Sequence, residues 1–204
     1  MDDKIVPMPD DAIDLNSYLD SLKKSLERAT DVDDLYDKIV NAPFLSRLDS
    51  GALFLGIVVL LILNEEDNII DRVALSDTEL ADFTQKVSVV NFKDIKIPAD
   101  DPDNIIAKVI RENRHQSTTD WKYLFTPILD ERQARINQAG GGIACSYVYP
   151  LISKDLKGAL IFSYFQYLHA IGDLHEEFMQ SYAALVSDQL ARLSSSSSMK
   201  SNKA

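Results

Sequence analysis

The stretch Gly51-Ala52-Leu53-Phe54-Leu55-Gly56-Ile57-Val58-Val59-Leu60-Leu61-Ile62-Leu63 runs into Asn64-Glu65-Glu66-Asp67-Asn68 and then into Ile69-Ile70-Asp71-Arg72-Val73-Ala74-Leu75. Apolarity alone would suit a helix here. The polar cluster that closes the run, the β-branched residues within it and the second apolar segment after it read instead as two strands joined by a hairpin loop. The first strand is apolar at nearly every position, so both its faces are covered. It belongs in the middle of a sheet with helices on each side. Its 13 residues also fall short of the ~20 a membrane helix needs.

Upstream, Leu15, Leu19, Leu22, Leu26 and Ala29 recur at steps of four, three, four and three, the narrow seam of a helix that packs on another helix. Thr30 is expected to cap a second helix carrying Val32, Leu35, Tyr36, Ile39 and Val40, which Pro43 ends or bends. Residues 1–10 are polar with two prolines, a flexible lead-in.

Downstream, 77–83 suits a short helix, and 87–90 and 95–97 suit extended pieces. Asp101 with Pro102 reads as a cap and first helical residue, ahead of the stripe Ile105, Ile106, Val109 and Ile110. An irregular stretch, 118–126, holds the single tryptophan, Trp121. A polar helix over 129–138 stops at Gly140-Gly141-Gly142, followed by two strands over 143–150 and 156–165. Asp173 and Glu176 have capping-box spacing ahead of a helix with two apolar stripes, one through Leu174, Phe178, Tyr182 and Leu185 and one through Met179, Val186, Leu190 and Leu193. A serine-rich, disordered tail is expected over 194–204. This order predicts an α/β fold of the α+β type, an antiparallel sheet with helices on both faces and the terminal helices side by side.

The 204 residues suit one domain with helical extensions. Apolar residues at 46% and charged ones at 26% exclude disordered and fibrous classes. A net charge of −11 argues against nucleic acid and anionic membrane as partners. The start lacks a basic segment followed by an apolar core, so a cytoplasmic protein is expected. One cysteine, Cys145, excludes a disulfide framework and a multi-cysteine zinc site; in an apolar strand it reads as a small buried hydrophobe.

Other candidate chemistry is weak. Counting a calcium loop from Asp100 puts Ile105 and Arg111 where glycine and glutamate are needed, so helix capping explains those aspartates. The three glycines lack the Gly-Lys-Ser/Thr of a phosphate loop; a hinge that lets 129–138 act as a lid is the better reading. His115, His169 and His175 are scattered, and His115 with Arg111 and Arg114 makes a solvated basic spot. No metal, no cofactor and no catalytic set is expected. Asp100, Asp101 and Asp103 crowd the helix start at Pro102 with negative charge, so any ligand is expected to be neutral or cationic.

The opening hairpin resembles that of a GAF domain, a small regulatory sensor module related to PAS domains. The closing pair, Ser146-Tyr147-Val148-Tyr149-Pro150-Leu151 and Lys157-Gly158-Ala159-Leu160-Ile161-Phe162, is similar to the family's Pro-Leu, short loop and Gly-x-Leu strand. The likeness spans 45–193, with 11–44 as added N-terminal helices. It implies a profilin-like central antiparallel sheet of about six strands. The terminal helices would lie on one face, often pairing with a second copy, and a small-molecule pocket on the other.

Within that frame the ligand residues are expected to be Trp121, Phe125, Thr126, Ser146 and Val148, with Phe83 and Ile136 as roof. The family's cyclic-nucleotide set is not reproduced after Phe165. Leu15, Leu19, Leu22, Leu26, Phe178, Tyr182 and Leu185 are expected to form a homodimer bundle, since two apolar seams exceed what one sheet face hides. The expected function is a stand-alone, non-enzymatic sensor that binds a small molecule and signals through its terminal helices to a separate protein partner. A ligand-free scaffold with a filled pocket is the alternative.

Overall fold

The computed structural model describes residues 14–45, 54–153, 156–165 and 171–201, with side chains described as far as residue 193. The 1–10 lead-in, the start of the 51–63 run, residues 154–155 and 166–170, and the end of the tail lie outside the described residues. Helices α1 (Leu15–Leu26) and α2 (Val32–Leu45) precede the hairpin of β1 (Leu55–Asn64) and β2 (Ile69–Leu75). Then come α3 (Glu79–Val87), a 3₁₀ turn (Phe92–Asp94), β3 (Lys96–Pro98), α4 (Ile105–Glu112) and β4 (Gln116–Thr118). The chain continues through α5 (Lys122–Phe125), α6 (Glu131–Gly140), β5 (Cys145–Ser153), β6 (Leu156–Tyr164) and α7 (Asp173–Ser201).

The six strands form one sheet in the order β3-β2-β1-β6-β5-β4, with every pairing antiparallel. β1 is central and buried on both faces, as its unbroken apolarity requires. A register shift between Leu55 and Ile57 against β6 makes Gly56 an extra residue. That bulge resets the alternation, so Leu55 and Val58 share one face while Ile57, Val59 and Leu61 point to the other. Gly158 sits where β6 crosses β1; a Cβ there would stand 2.3 Å from the Leu61 carbonyl oxygen, so only glycine fits.

One face of the sheet carries α1, α2 and α7. Leu15, Leu22, Leu26, Phe178 and Tyr182 are buried in this chain's own core, with Leu19 and Leu185 packed half-buried against it. The seam is therefore a core layer. The surplus that argued for a dimer through these residues is taken up within the chain, where both stripes of α7 join the core layer that α1 and α2 share: Phe178, Met179, Tyr182, Val186 and Leu190 are buried and Leu174, Leu185 and Leu193 half-buried against it. Rings set the layer's geometry: Tyr18 stacks on Phe178 at 5.6 Å, and Phe178 and Tyr182 both pack against Phe162 of β6.

Several helix boundaries differ from the sequence reading, among them the 77–83 helix, found at Glu79–Val87, and the 129–138 helix, found at Glu131–Gly140. Asp31, not Thr30, caps α2, since its side chain accepts from the Asp34 N–H. Asn104, not Asp101, caps α4 because its Oδ1 takes the Ile106 and Ala107 N–H groups while its Nδ2 donates to the Thr126 carbonyl. The start of α7 is capped by Gly172, whose N–H is held by His175 Nδ1. The same helix continues to Ser201 through the serine run, past 193, as expected when extending a formed helix is easier than nucleating one.

Candidate functional site

The opposite sheet face is covered by α3, α4, α5 and α6, and a small cavity of about 50 Å³ lies between α3, the 3₁₀ turn, α5 and α6 on one side and β1, β2 and β6 on the other. Its floor is Ile57 and Val59 of β1 with Ile161 and Ser163 of β6. α3 is seated over β1 by its cap: Thr78 donates to the Gly56 carbonyl at 3.0 Å and its hydroxyl accepts the Ala81 N–H. α6 packs against α3, where a Cβ on Gly141 would meet Thr84 Oγ1 at 2.6 Å. The glycines thus permit close helix approach.

α6 is also tied down. Gln138 accepts the Trp121 N–H and donates to the Thr119 and Ile143 carbonyls, so the polar helix does not stand free as a lid would.

Trp121 and Phe125 line the cavity as expected, held by α5 with their rings 5.5 Å apart. Ser146 lies behind Trp121: the indole Nε1 donates to Ser146 Oγ at 2.8 Å, and Ser146 shares a hydrogen bond with Ser163 at 2.8 Å. Val148 is fully buried in the same layer but outside the lining, and Ser146 and Val148 are thereby placed on the roofed face. Thr126 uses its carbonyl for Asn104 and precedes a cis bond to Pro127. Phe83 and Ile136 do not form the roof. They are 51% and 47% exposed, because α3 buries only Ala81 and α6 only Ala134 and Asn137.

The site's one charged lining residue among the described residues is Arg72 of β2. It is 6% exposed. Its guanidinium carbon lies 4.4 Å from the Phe125 ring centre and 5.8 Å from that of Phe92. Nη2 donates to the Leu124 carbonyl at 3.3 Å, and Nε has no partner. Burial pushes the guanidinium down to about 9, which leaves it charged at neutral pH. Thr84, a lining residue on α3, has a second buried polar atom without a partner, Oγ1, which lies at the α3–α6 contact beside Gly141.

Sequence reasoning missed Arg72, although the signal was present. It lies two positions after Ile70, which is fully buried on the roofed face, and period-two alternation puts both on one side. The basic spot lies at the surface as read, with Arg111, Arg114 and His115 all exposed; His115 stacks on Tyr149 at 4.8 Å and Arg111 donates to the Ala99 and Asp101 carbonyls.

A six-stranded antiparallel sheet with helices on both faces is a fold shared with solved structures. The chain superposes on the GAF domain of a phosphoenolpyruvate-protein phosphotransferase from Coxiella burnetii with a TM-score of 0.62 at 15% identity, covering 92% of this chain and 99% of that one. The fold is that of a GAF domain. The GAF fold here also matches free methionine-R-sulfoxide reductase from Neisseria meningitidis in complex with its substrate, with a TM-score of 0.61 at 10% identity over 93% and 96% of the two chains. The phycocyanobilin-bound GAF domain of a cyanobacterial phytochrome matches with a TM-score of 0.57 at 16% identity over 89% and 96%. At these identities the likeness is one of fold. No family model and no curated protein matches the sequence.

Proposed function

We propose that the protein is a non-enzymatic regulatory module of the GAF type, cytoplasmic, which takes a small molecule into the cavity above β1 and β6 and reports its presence through α1 and α7 to a separate protein. The observation that carries this reading is the two-sided use of β6. Ile161 lines the cavity, while its neighbours Leu160 and Phe162 belong to the layer under the terminal helices. Phe162 touches Phe178 and Tyr182 of α7, with ring centres 5.9 and 6.4 Å apart. A shift of the strand by an occupant therefore reaches α7 within one residue step.

The chemistry of Cys145 supports the non-enzymatic part. Burial pushes its thiol up to about 11, the reverse of what a thiolate nucleophile requires, and the chain has one cysteine, so no second thiol is present to resolve an oxidised one. None of the described helices is long and apolar enough to cross a membrane.

The test is native mass spectrometry of freshly purified protein together with melting in a metabolite panel. An occupant at a hundredfold its Kd adds about 2.7 kcal/mol of stability. No retained mass and no shift across the panel would defeat the binding reading. The scaffold alternative is favoured by one observation: about 50 Å³ is small beside drug-sized pockets, which run to roughly 300–1,000 Å³. Under that reading Trp121, Phe125 and Phe92 fill the site, and their truncation to alanine lowers stability without changing any ligand response.

A further inference from the structure

We propose that Arg72 is the anchor of the cavity and that its occupant is a monoanion, a carboxylate on a short apolar body. This deepens the binding reading above and rests on it. A guanidinium taken out of water is strongly destabilising unless a counter-charge and hydrogen bonds replace its hydration. Arg72 has neither in full. Its one hydrogen bond goes to the Leu124 carbonyl, Nε is unmatched, and among the described residues no carboxylate lies within 4.0 Å of it. Exposed arginines of the same chain are better served: Arg135 reaches Glu131 at 2.7 Å, and Arg111 reaches the Ala99 carbonyl at 2.7 Å.

Stacking against aromatic faces leaves the in-plane N–H groups of a guanidinium to do the bonding, and an in-plane fork matches a carboxylate. Thr84 Oγ1 supplies a second unmatched polar atom on α3. The remaining wall is largely apolar, with Ile57, Val59, Leu75 and Ile161. One positive charge against such a wall neutralises one negative charge and would leave a dianion half-compensated. Size agrees as well. The cavity of about 50 Å³ holds several times the roughly 10–15 Å³ that one water requires, which suits an acid of about five heavy atoms. The charge expectation drawn from Asp100, Asp101 and Asp103 loses its footing, since α4 starts at Ile105 and those aspartates do not line the cavity.

The experiment titrates the full chain with sodium propionate and butyrate, and separately with propionamide and butyramide, at constant ionic strength made up with sodium chloride. Melting temperature and the fluorescence of Trp121, the single tryptophan, are the readouts. The acids are expected to raise Tm and change the emission with an apparent Kd about tenfold or more below that of the amides. Arg72→Met is expected to abolish that preference while the free protein melts no lower than the parent. Should Arg72→Met fail to fold, Arg72→Lys, which keeps the charge and loses the fork, is expected to narrow the preference. Amides binding as well as acids, or either variant keeping the full preference, overturns Arg72 as anchor and leaves the binding reading standing. So does a neutral occupant found by the metabolite panel when the acids do nothing. Silence of acids, amides and panel together overturns both.

Discussion

The hydroxyl of Tyr182 donates to the Ile39 carbonyl at 2.8 Å across 143 residues of chain. Ile39 is the residue four before Pro43, so its carbonyl is the acceptor that proline, lacking an N–H, leaves unused inside α2. Tyr18 completes the repair by donating to the Pro43 carbonyl at 2.9 Å. A proline that would end the helix is thus tolerated because α1 and α7 each supply a buried hydroxyl to it. The same bonds fix how the two terminal helices sit on α2.

Tyr182→Phe is expected to lower stability by about 1–3 kcal/mol, since it strands a buried carbonyl. In a Pro43→Ala background the restored N–H of residue 43 meets the Ile39 carbonyl, and the same change should cost less. A double-mutant cycle by urea unfolding measures this coupling. A Tyr182→Phe cost equal in both backgrounds would show that the hydroxyl does not stand in for the missing N–H.

Gly158 and Gly142 separate space from backbone conformation. Gly158→Ala places a Cβ 2.3 Å from a backbone oxygen in the middle of the sheet. A loss of at least about 2 kcal/mol, or no folded protein, is expected. Gly142 has φ of +62° with nothing near its Cβ position. Gly142→Ala should cost only about 1 kcal/mol, the left-handed strain alone. Thermal melts of the two variants rank them; equal effects would contradict the strand crossing as described.

These cases show where the sequence is readable. The β1–β2 hairpin was legible because a long apolar run and a compact polar turn leave few alternatives, and the closing strands because Pro150-Leu151 and Gly158 punctuate them. The bulge at Gly56 was not, since it depends on pairing with β6. Asp101 followed by Pro102 reads as a cap on local grounds, but the Thr126 carbonyl, 22 residues away, decides for Asn104. Phe83 and Ile136 were misplaced because α3 and α6 bury so few residues that their phase cannot be fixed from periodicity. Arg72 was passed over because a charge in a strand defaults to solvent, and only the roof over Ile70 shows otherwise.

Leu22 distinguishes a core seam from an interface. It is 2% exposed within one chain, against neighbours from α2 and α7. Leu22→Ala is expected to cost about 2–5 kcal/mol. The melting temperature of parent and variant should not change with protein concentration over the micromolar range. A concentration-dependent Tm in the parent that Leu22→Ala abolishes would return this seam to a subunit contact.

Alkaline pH should unfold the protein from the terminal-helix side. Burial raises Cys145 to about 11 and Tyr147 and Tyr149 to about 12, and pushes Tyr164 and Tyr182 well above their ordinary 10.0. All of these are acids whose neutral form the fold prefers, so between their ordinary and raised values the folded chain holds protons that the unfolded chain has released. Stability contributed by these groups is intact below about pH 8 and falls as pH rises from about 9 toward 12. Arg72 acts in the opposite sense, because burial lowers it and its unfolded form binds the extra proton above about 9. It is one group against these five and the half-buried Tyr36, whose phenol burial also raises. Urea unfolding at steps from pH 7 to 11.5 is expected to show a plateau and then a decline, steeper in Arg72→Met, with Tyr182→Phe shallower than the parent. Stability that holds level to pH 11.5 in all three would mean that the tyrosine layer is open to water in solution.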